Sequence, residues 1–199
     1  MAGPGTKWWG WGTEGHELEV ESRPVAWTAI RGALGLSGDE RWPRPKPEEI
    51  PLRRSRIGGS DRVVLEGILG ADGVSTDDRD RLSHAVGKSY LDLIRLRLGQ
   101  IPMPPDGVVT PRAEEDIRAV LAFATERGYA IIPYGGGTSV VGGLEPTDPR
   151  PHLVLDLRRM NRLLGVDERS GLATAEAGIL GPDLERALGR HGLTAGHWP

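Results

Sequence analysis

The chain has 199 residues, with 25 basic and 28 acidic side chains and no cysteine. That length allows one or two ordinary domains, the near-neutral charge argues against a nucleic-acid binder, and the lack of cysteine excludes disulfides, thiolate zinc sites and cysteine nucleophiles. The 29 glycines and 16 prolines demand many turns, which suits mixed α and β structure better than a helical bundle.

No stretch approaches the ~20 apolar residues of a membrane helix, and the N-terminus lacks the basic and apolar blocks of a signal peptide. The first sixty residues are expected to be irregular. Trp8, Trp9, Trp11, Trp27 and Trp42 stand there among glycines and prolines, and the prolines at 43, 45 and 47 enforce an extended path. Tryptophans need somewhere to bury, so this arm is expected to pack over a larger body.

From Ser75 a helix is expected, with Ser75 as cap and Asp77 and Asp78 near its positive end. Leu82, Val86, Tyr90, Leu93 and Ile94 recur at steps of three or four, Gly87 weakens the middle, and Gly99 is the stop. His84 and Lys88, four apart, are expected on the solvated face. Residues 101–111 read as a connector with a short strand near its end. This places a boundary near residue 100, with an N-terminal arm and helical region at 1–99 and a second domain at 100–199.

The second domain opens with an αβ unit. Thr110 is the expected N-cap, Pro111 suits the first helical position, and Glu114 and Glu115 fall in the first turn. Ile117, Val120, Leu121 and Ala124 form an apolar stripe, Gly128 ends the helix, and 129–134 is a buried strand. Strands are further expected at 153–157 and 172–177, and a short helix at 182–192. The run Ala195-Gly196-His197-Trp198-Pro199 brings no closing element, so the domain is expected to be incomplete.

The strand at 129–134 runs into Pro133-Tyr134-Gly135-Gly136-Gly137-Thr138-Ser139. Glycines after a strand let the backbone approach an anion, and successive amides there can converge as a nest. Thr138 and Ser139 add hydroxyl donors. A nucleotide P-loop is excluded because no lysine follows Lys88. A dinucleotide fingerprint is excluded because Val140 stands where its third glycine belongs and Gly142, Gly143 and Pro146 oppose a following helix.

The stretch IIPYGGGTSVVGG resembles the FAD diphosphate loop of the family that includes vanillyl-alcohol oxidase and p-cresol methylhydroxylase. Within that family, LDLRRMNRLLGVDERSGLATAEAGILGPDLERAL, GLTAGHWP and KWWGWG are similar to the alkyldihydroxyacetonephosphate synthases, in their bacterial form. The resemblance implies an α+β fold, a helical and irregular N-terminal region followed by an incomplete FAD-binding domain of the p-cresol methylhydroxylase type. It implies that Pro133, Tyr134, Gly135, Gly136, Gly137, Thr138 and Ser139 contact the FAD diphosphate, and that a second flavin segment opens at Pro199. Thr138 stands where some relatives carry the histidine that attaches FAD, so the cofactor is expected to be non-covalent.

The catalytic residues of the family belong to a later portion, so none is assigned; His197 is a candidate flavin neighbour, and Asp156 is expected to satisfy local backbone donors. The implied activity of the whole enzyme is exchange of the acyl group of acyl-dihydroxyacetone phosphate for a long-chain alcohol, without net redox change. Its substrates would be small-molecule or lipid, with a cytoplasmic location, peripheral contact to a membrane, and a homodimer as further expectations. Alternatives are an FAD-linked dehydrogenase of 2-hydroxy acids, glycolate or D-lactate, and a non-enzymatic phosphate-binding fragment.

Overall fold

The computed structural model describes residues 6–15, 23–37 and 44–196. Its centre is a four-stranded sheet in the order β1-β2-β4-β3, made of β1 (Val74–Ser75), β2 (Gly107–Val109), β3 (Ala130–Tyr134) and β4 (His152–Asp156). β2, β4 and β3 are parallel, and β1 joins β2 antiparallel. A separate antiparallel hairpin pairs β5 (Leu163–Asp167) with β6 (Leu172–Ala175). Among the described residues no helix is long and apolar enough to cross a membrane.

Every residue of β4 is buried, as befits a strand covered on both faces. Leu153 and Leu155 point to one side, where α2 (Gly59–Leu69) and α5 (Glu114–Arg127) add Leu65, Leu69, Val120 and Phe123. Val154 points the other way, to Ile132, Tyr134 and Leu144. Each large apolar side chain so enclosed is worth ~1.5–3 kcal/mol. The helix α5 crosses over between β2 and β3, and β4 later fills the gap it leaves. β3 is an edge strand. Ala130 donates its amide to Pro151 and the Tyr134 carbonyl accepts from Leu157, so residues 130 and 134 face β4 and Pro133 faces outward.

Asp106 anchors the start of β2. Its fully buried carboxylate accepts from both guanidinium groups of Arg53 and Arg56, from the Arg56 amide and from the His152 amide. Burial alone would raise its pKa, but the hydrogen bonds from Arg53 and Arg56 outweigh that and hold it well below the usual carboxylate range.

Several expected boundaries move. The first sixty residues hold an exposed helix α1 (Pro24–Leu34), a 3-10 turn at Pro47–Glu49 and the start of α2. The arm at 6–15 packs as expected, with Trp8 and Trp9 against Ile50, Leu82, Ala85, Leu96 and Ile101. Trp11 remains half exposed, no residue of α1 is fully buried although Trp27 is partly covered, and Trp42 lies outside the described residues.

The single helix expected from Ser75 is two, α3 (Asp78–Ser83) and α4 (Tyr90–Arg97). Ser75 belongs to β1, and Asp77 caps α3 by accepting from the amides of Arg79 and Asp80. Ser89 caps α4 in a reciprocal pair with Asp92, so the chain restarts rather than bends. Gly99 ends α4 as expected, at φ +67°.

Thr110 is not the cap of α5, which starts only at Glu114; Thr110 still belongs to the sheet and donates its amide to Gly73. Asp116 caps the helix instead, accepting from the amides of Arg112 and Ala113, and Pro111 precedes the helix. Leu121 is 44% exposed, and Phe123 takes its place in the stripe. Gly128 ends the helix at φ +74°. The expected strands at 153–157 and 172–177 and helix at 182–192 correspond to β4, β6 and α6 (Gly181–Gly189).

Candidate cofactor site

β3 carries Pro133 and Tyr134 to the carboxyl end of the parallel strands, where the chain leaves the sheet as Gly135 to Ser139. Ligands of open parallel sheets gather at that end. The backbone amides of Gly135, Gly136, Gly137, Thr138 and Ser139 donate to no acceptor among the described residues. Five successive donors without partners suit an anion with several oxygens, which a diphosphate is.

The space above the loop agrees. A Cβ on Gly136 would come no nearer than 3.5 Å to the methyl groups of Leu180 and Thr138, so that spot is not crowded. Thr138 is exposed. The Ser139 hydroxyl accepts from the Gly143 amide at 2.9 Å and keeps its own proton to give. The loop residues therefore fit an FAD diphosphate, with amides and two hydroxyls as its donors.

The loop rests on a rigid floor. Gly137 has φ +67°, and a Cβ there would stand 2.6 Å from Cζ and 2.8 Å from Cε2 of Tyr134. The Tyr134 ring is 5% exposed, lies 4.4 Å from the His84 ring and takes the Arg158 guanidinium 5.1 Å over its face. Burial raises the Tyr134 pKa, so the phenol stays protonated at neutral pH.

Behind the ring, Asp156 accepts from Arg158 through its amide and both ends of the guanidinium, and lies 3.3 Å from His84 Nε2. His84 Nδ1 lies 2.7 Å from the Asp80 carbonyl, and Nε2 lies 2.9 Å from Arg158 Nη2. Burial by itself would raise the Asp156 pKa, but Arg158 and then His84 hold it well below the usual range. Asp156 thus meets the expected backbone donor and, beyond it, two side chains.

His84 is fully buried and Lys88 is 7% exposed, so neither sits on a solvated helix face. They belong to the link between α3 and α4, which packs under the arm. Lys88 clasps three pieces: its amide donates to the Ser139 carbonyl at 2.7 Å, and its ammonium donates to the carbonyls of Lys7 and Gly10. Gly87 permits this approach, since a Cβ there would collide with the Ser139 carbonyl. Burial lowers the Lys88 pKa.

The contiguous candidates Pro133 to Ser139 are thus together at one strand end, while Pro199 and His197 lie outside the described residues. His84, Lys88 and Arg158 form, with Asp156, a support that sequence reasoning did not assemble, although it expected Asp156 to meet a local backbone donor. The spacing Gly87-Lys88-Ser89, a glycine before a helix cap, was the available signal for a break there.

The family described as FAD binding domain matches residues 105–199. An alkyldihydroxyacetonephosphate synthase from Trypanosoma brucei brucei is 41% identical over 138 residues, 68% of this chain and 22% of that protein. Another, from Dictyostelium discoideum, is 40% identical over 219 aligned residues, covering 97% of this chain and 36% of the relative. Both synthases are eukaryotic, so they lend the bacterial qualifier no support.

A solved alkyldihydroxyacetonephosphate synthase superposes with a TM-score of 0.85 at 32% identity, over 98% of this chain and 40% of that one. Substrate-bound p-cresol methylhydroxylase superposes with a TM-score of 0.52 at 16% identity, over 72% of this chain and 27% of that one, and shows the shared fold. The chain spans about a fifth to two fifths of the length of these synthases.

Proposed function

The chain belongs to the FAD binding domain family, and from that premise we propose that it holds the diphosphate of FAD on the amides of Gly135 to Ser139. The single observation that carries this reading is the row of five partnerless donors at the end of β3. Pro133 and Tyr134 set the entry and floor of the loop, and the hydroxyls of Thr138 and Ser139 complete the donor set. Pro199 stands as a proposed second contact. We take the cofactor as non-covalent, because Thr138 offers a hydroxyl where a covalent attachment uses a nucleophilic ring nitrogen.

We further propose that the protein works in an alkyldihydroxyacetonephosphate synthase, exchanging an acyl for an alkoxy group on dihydroxyacetone phosphate. Identity of 40% across 97% of the chain favours this over a 2-hydroxy-acid dehydrogenase. Bound FAD would supply the exchange chemistry; the residues described here bind and orient it. Lipid substrate, homodimer, cytoplasmic location and peripheral membrane contact remain parts of this proposal. So does the division at residue 100, since the loop and the strands that flank it lie in 100–199 although α2 and β1 complete their core.

Titration of FAD with the purified chain tests the reading. Saturable quenching of flavin fluorescence is expected, and its loss in Gly136→Asp, which puts a carboxylate among the free amides. Absence of quenching, both in this chain and in a longer version extended past Pro199, would overturn it.

A further inference from the structure

Beside the glycine loop, on the side covered by the arm, lies a cavity of about 20 Å³, room for one water-sized group. Gly136 and Gly137 form one wall, and Thr6, Lys7, Lys88 and Arg158 are among the others. Among the described residues that line it three side chains are cationic and none is a carboxylate. Buried charge is normally matched by opposite charge. Arg158 has Asp156 behind it. Among the described residues Lys88 meets the carbonyls of Lys7 and Gly10, which use two of its three protons, and the face of the Trp11 ring at 6.0 Å, but no carboxylate. Nη1 of Arg158 likewise meets no acceptor among the described residues.

We propose that this cavity is an anion subsite which takes one phosphate oxygen from a group lying on the glycine loop, with Lys88 and Arg158 as its counter-charges. The chemistry is that of a phosphate ester or diphosphate. A single oxygen fits the volume, and the rest of the group lies along the amides of Gly135 to Ser139. The inference rests on the diphosphate reading above and extends it to residues outside the loop. It also gives the arm a role, because the carbonyls of Lys7 and Gly10 hold the Lys88 ammonium at the cavity wall.

Two ligands separate the sources of the phosphate: FAD, followed by fluorescence quenching, and inorganic pyrophosphate, followed by calorimetry, both on the full chain. Lys88→Gln and Arg158→Gln are each expected to weaken both ligands about tenfold or more, the loss of one charge-assisted bond. Lys88→Arg is expected to stay within about threefold of the parent. Melting temperatures are measured alongside, because Lys88→Gln keeps two donors but is one bond shorter, and a structural loss at the arm would show there.

Parent-like binding in both glutamine variants would overturn the subsite and leave the FAD reading standing. Equal loss in Lys88→Arg and Lys88→Gln, with a matching fall in melting temperature, would reduce Lys88 to a clasp and overturn it too. Pyrophosphate binding that the glutamine variants weaken, without FAD binding by the parent, would keep the subsite for free phosphate and sink the FAD reading. Binding of neither ligand by the parent would overturn both.

Discussion

Replacing Gly137 by alanine should be among the most damaging single changes in the glycine loop. Two separate penalties apply. The residue has φ +67°, where an L side chain costs ~1–2 kcal/mol. The added methyl would also stand 2.6 Å and 2.8 Å from two ring carbons of Tyr134. That ring cannot easily retreat, because His84 packs on it at 4.4 Å and Arg158 covers it at 5.1 Å. Overpacking of this kind costs ~1–3 kcal/mol, so the whole effect is ~2–5 kcal/mol. For a chain of this size that is a fall in melting temperature of roughly 4–20 °C.

Urea denaturation with unchanged slope is the direct assay. The double variant Gly137→Ala with Tyr134→Phe should recover a little, since the hydroxyl oxygen, the nearest contact, is lost while both close ring carbons persist. Gly137→Ala with Tyr134→Leu should recover part of the loss relative to Tyr134→Leu alone, because the steric share disappears and the backbone share remains. Gly136→Ala is the control: its Cβ meets only ordinary contacts at 3.5 Å, so stability should hold while flavin binding weakens. A Gly137→Ala protein with the parent midpoint would refute the idea of Tyr134 as a fixed floor.

Further outcomes follow from the supports of the sheet and of the loop. Asp106→Asn leaves two guanidinium groups without their buried anion and should lose ~3–5 kcal/mol in the same assay. The Asp106 and Asp156 carboxylates are both held below their ordinary range, so the stability they give is complete above pH ~4 and fades as pH falls through their folded values. Each contributes a slope of up to ~1.4 kcal/mol per pH unit in that window, and the acid limb of a stability profile should flatten in Asp106→Asn. Gly87→Ala pushes a methyl against the Ser139 carbonyl and should break its bond to the Lys88 amide; faster proteolysis within 135–143 would show it, and unchanged cleavage would speak against the clasp.

The loop and its strand were legible in the sequence because both signals are local. An apolar run of five or six residues ends at glycines whose backbone freedom no other residue supplies. What surrounds the loop was not, since it depends on contacts across the chain. Lys88 and Ser139 are far apart in sequence, and the four-residue spacing of His84 and Lys88 looks like a helix face until Gly87 and Ser89 are read as a break and a restart.

Thr110 has the chemistry of a helix cap, but the antiparallel pairing of β1 with β2 carries the sheet as far as Thr110, and the helix starts only at Glu114. β5 is hidden for a different reason. Its Leu163 to Asp167 segment is interrupted by a bulge between Leu163 and Gly165, which spoils the alternation by which a strand announces itself.

The outward position of Pro133 in the edge strand bears on how the protein behaves at high concentration. An open strand edge is a template on which another copy can add a strand, the first step toward fibrils and inclusion bodies. At Pro133 the donor that such a newcomer would need is missing, and no ladder bond to β4 is sacrificed for it, because that position already pointed away. The proline that precedes the glycine loop therefore also acts as a gatekeeper. Pro133→Val would restore an inviting edge while leaving the fold intact, and its signature would be a rise in thioflavin-positive aggregate rather than a lower melting temperature.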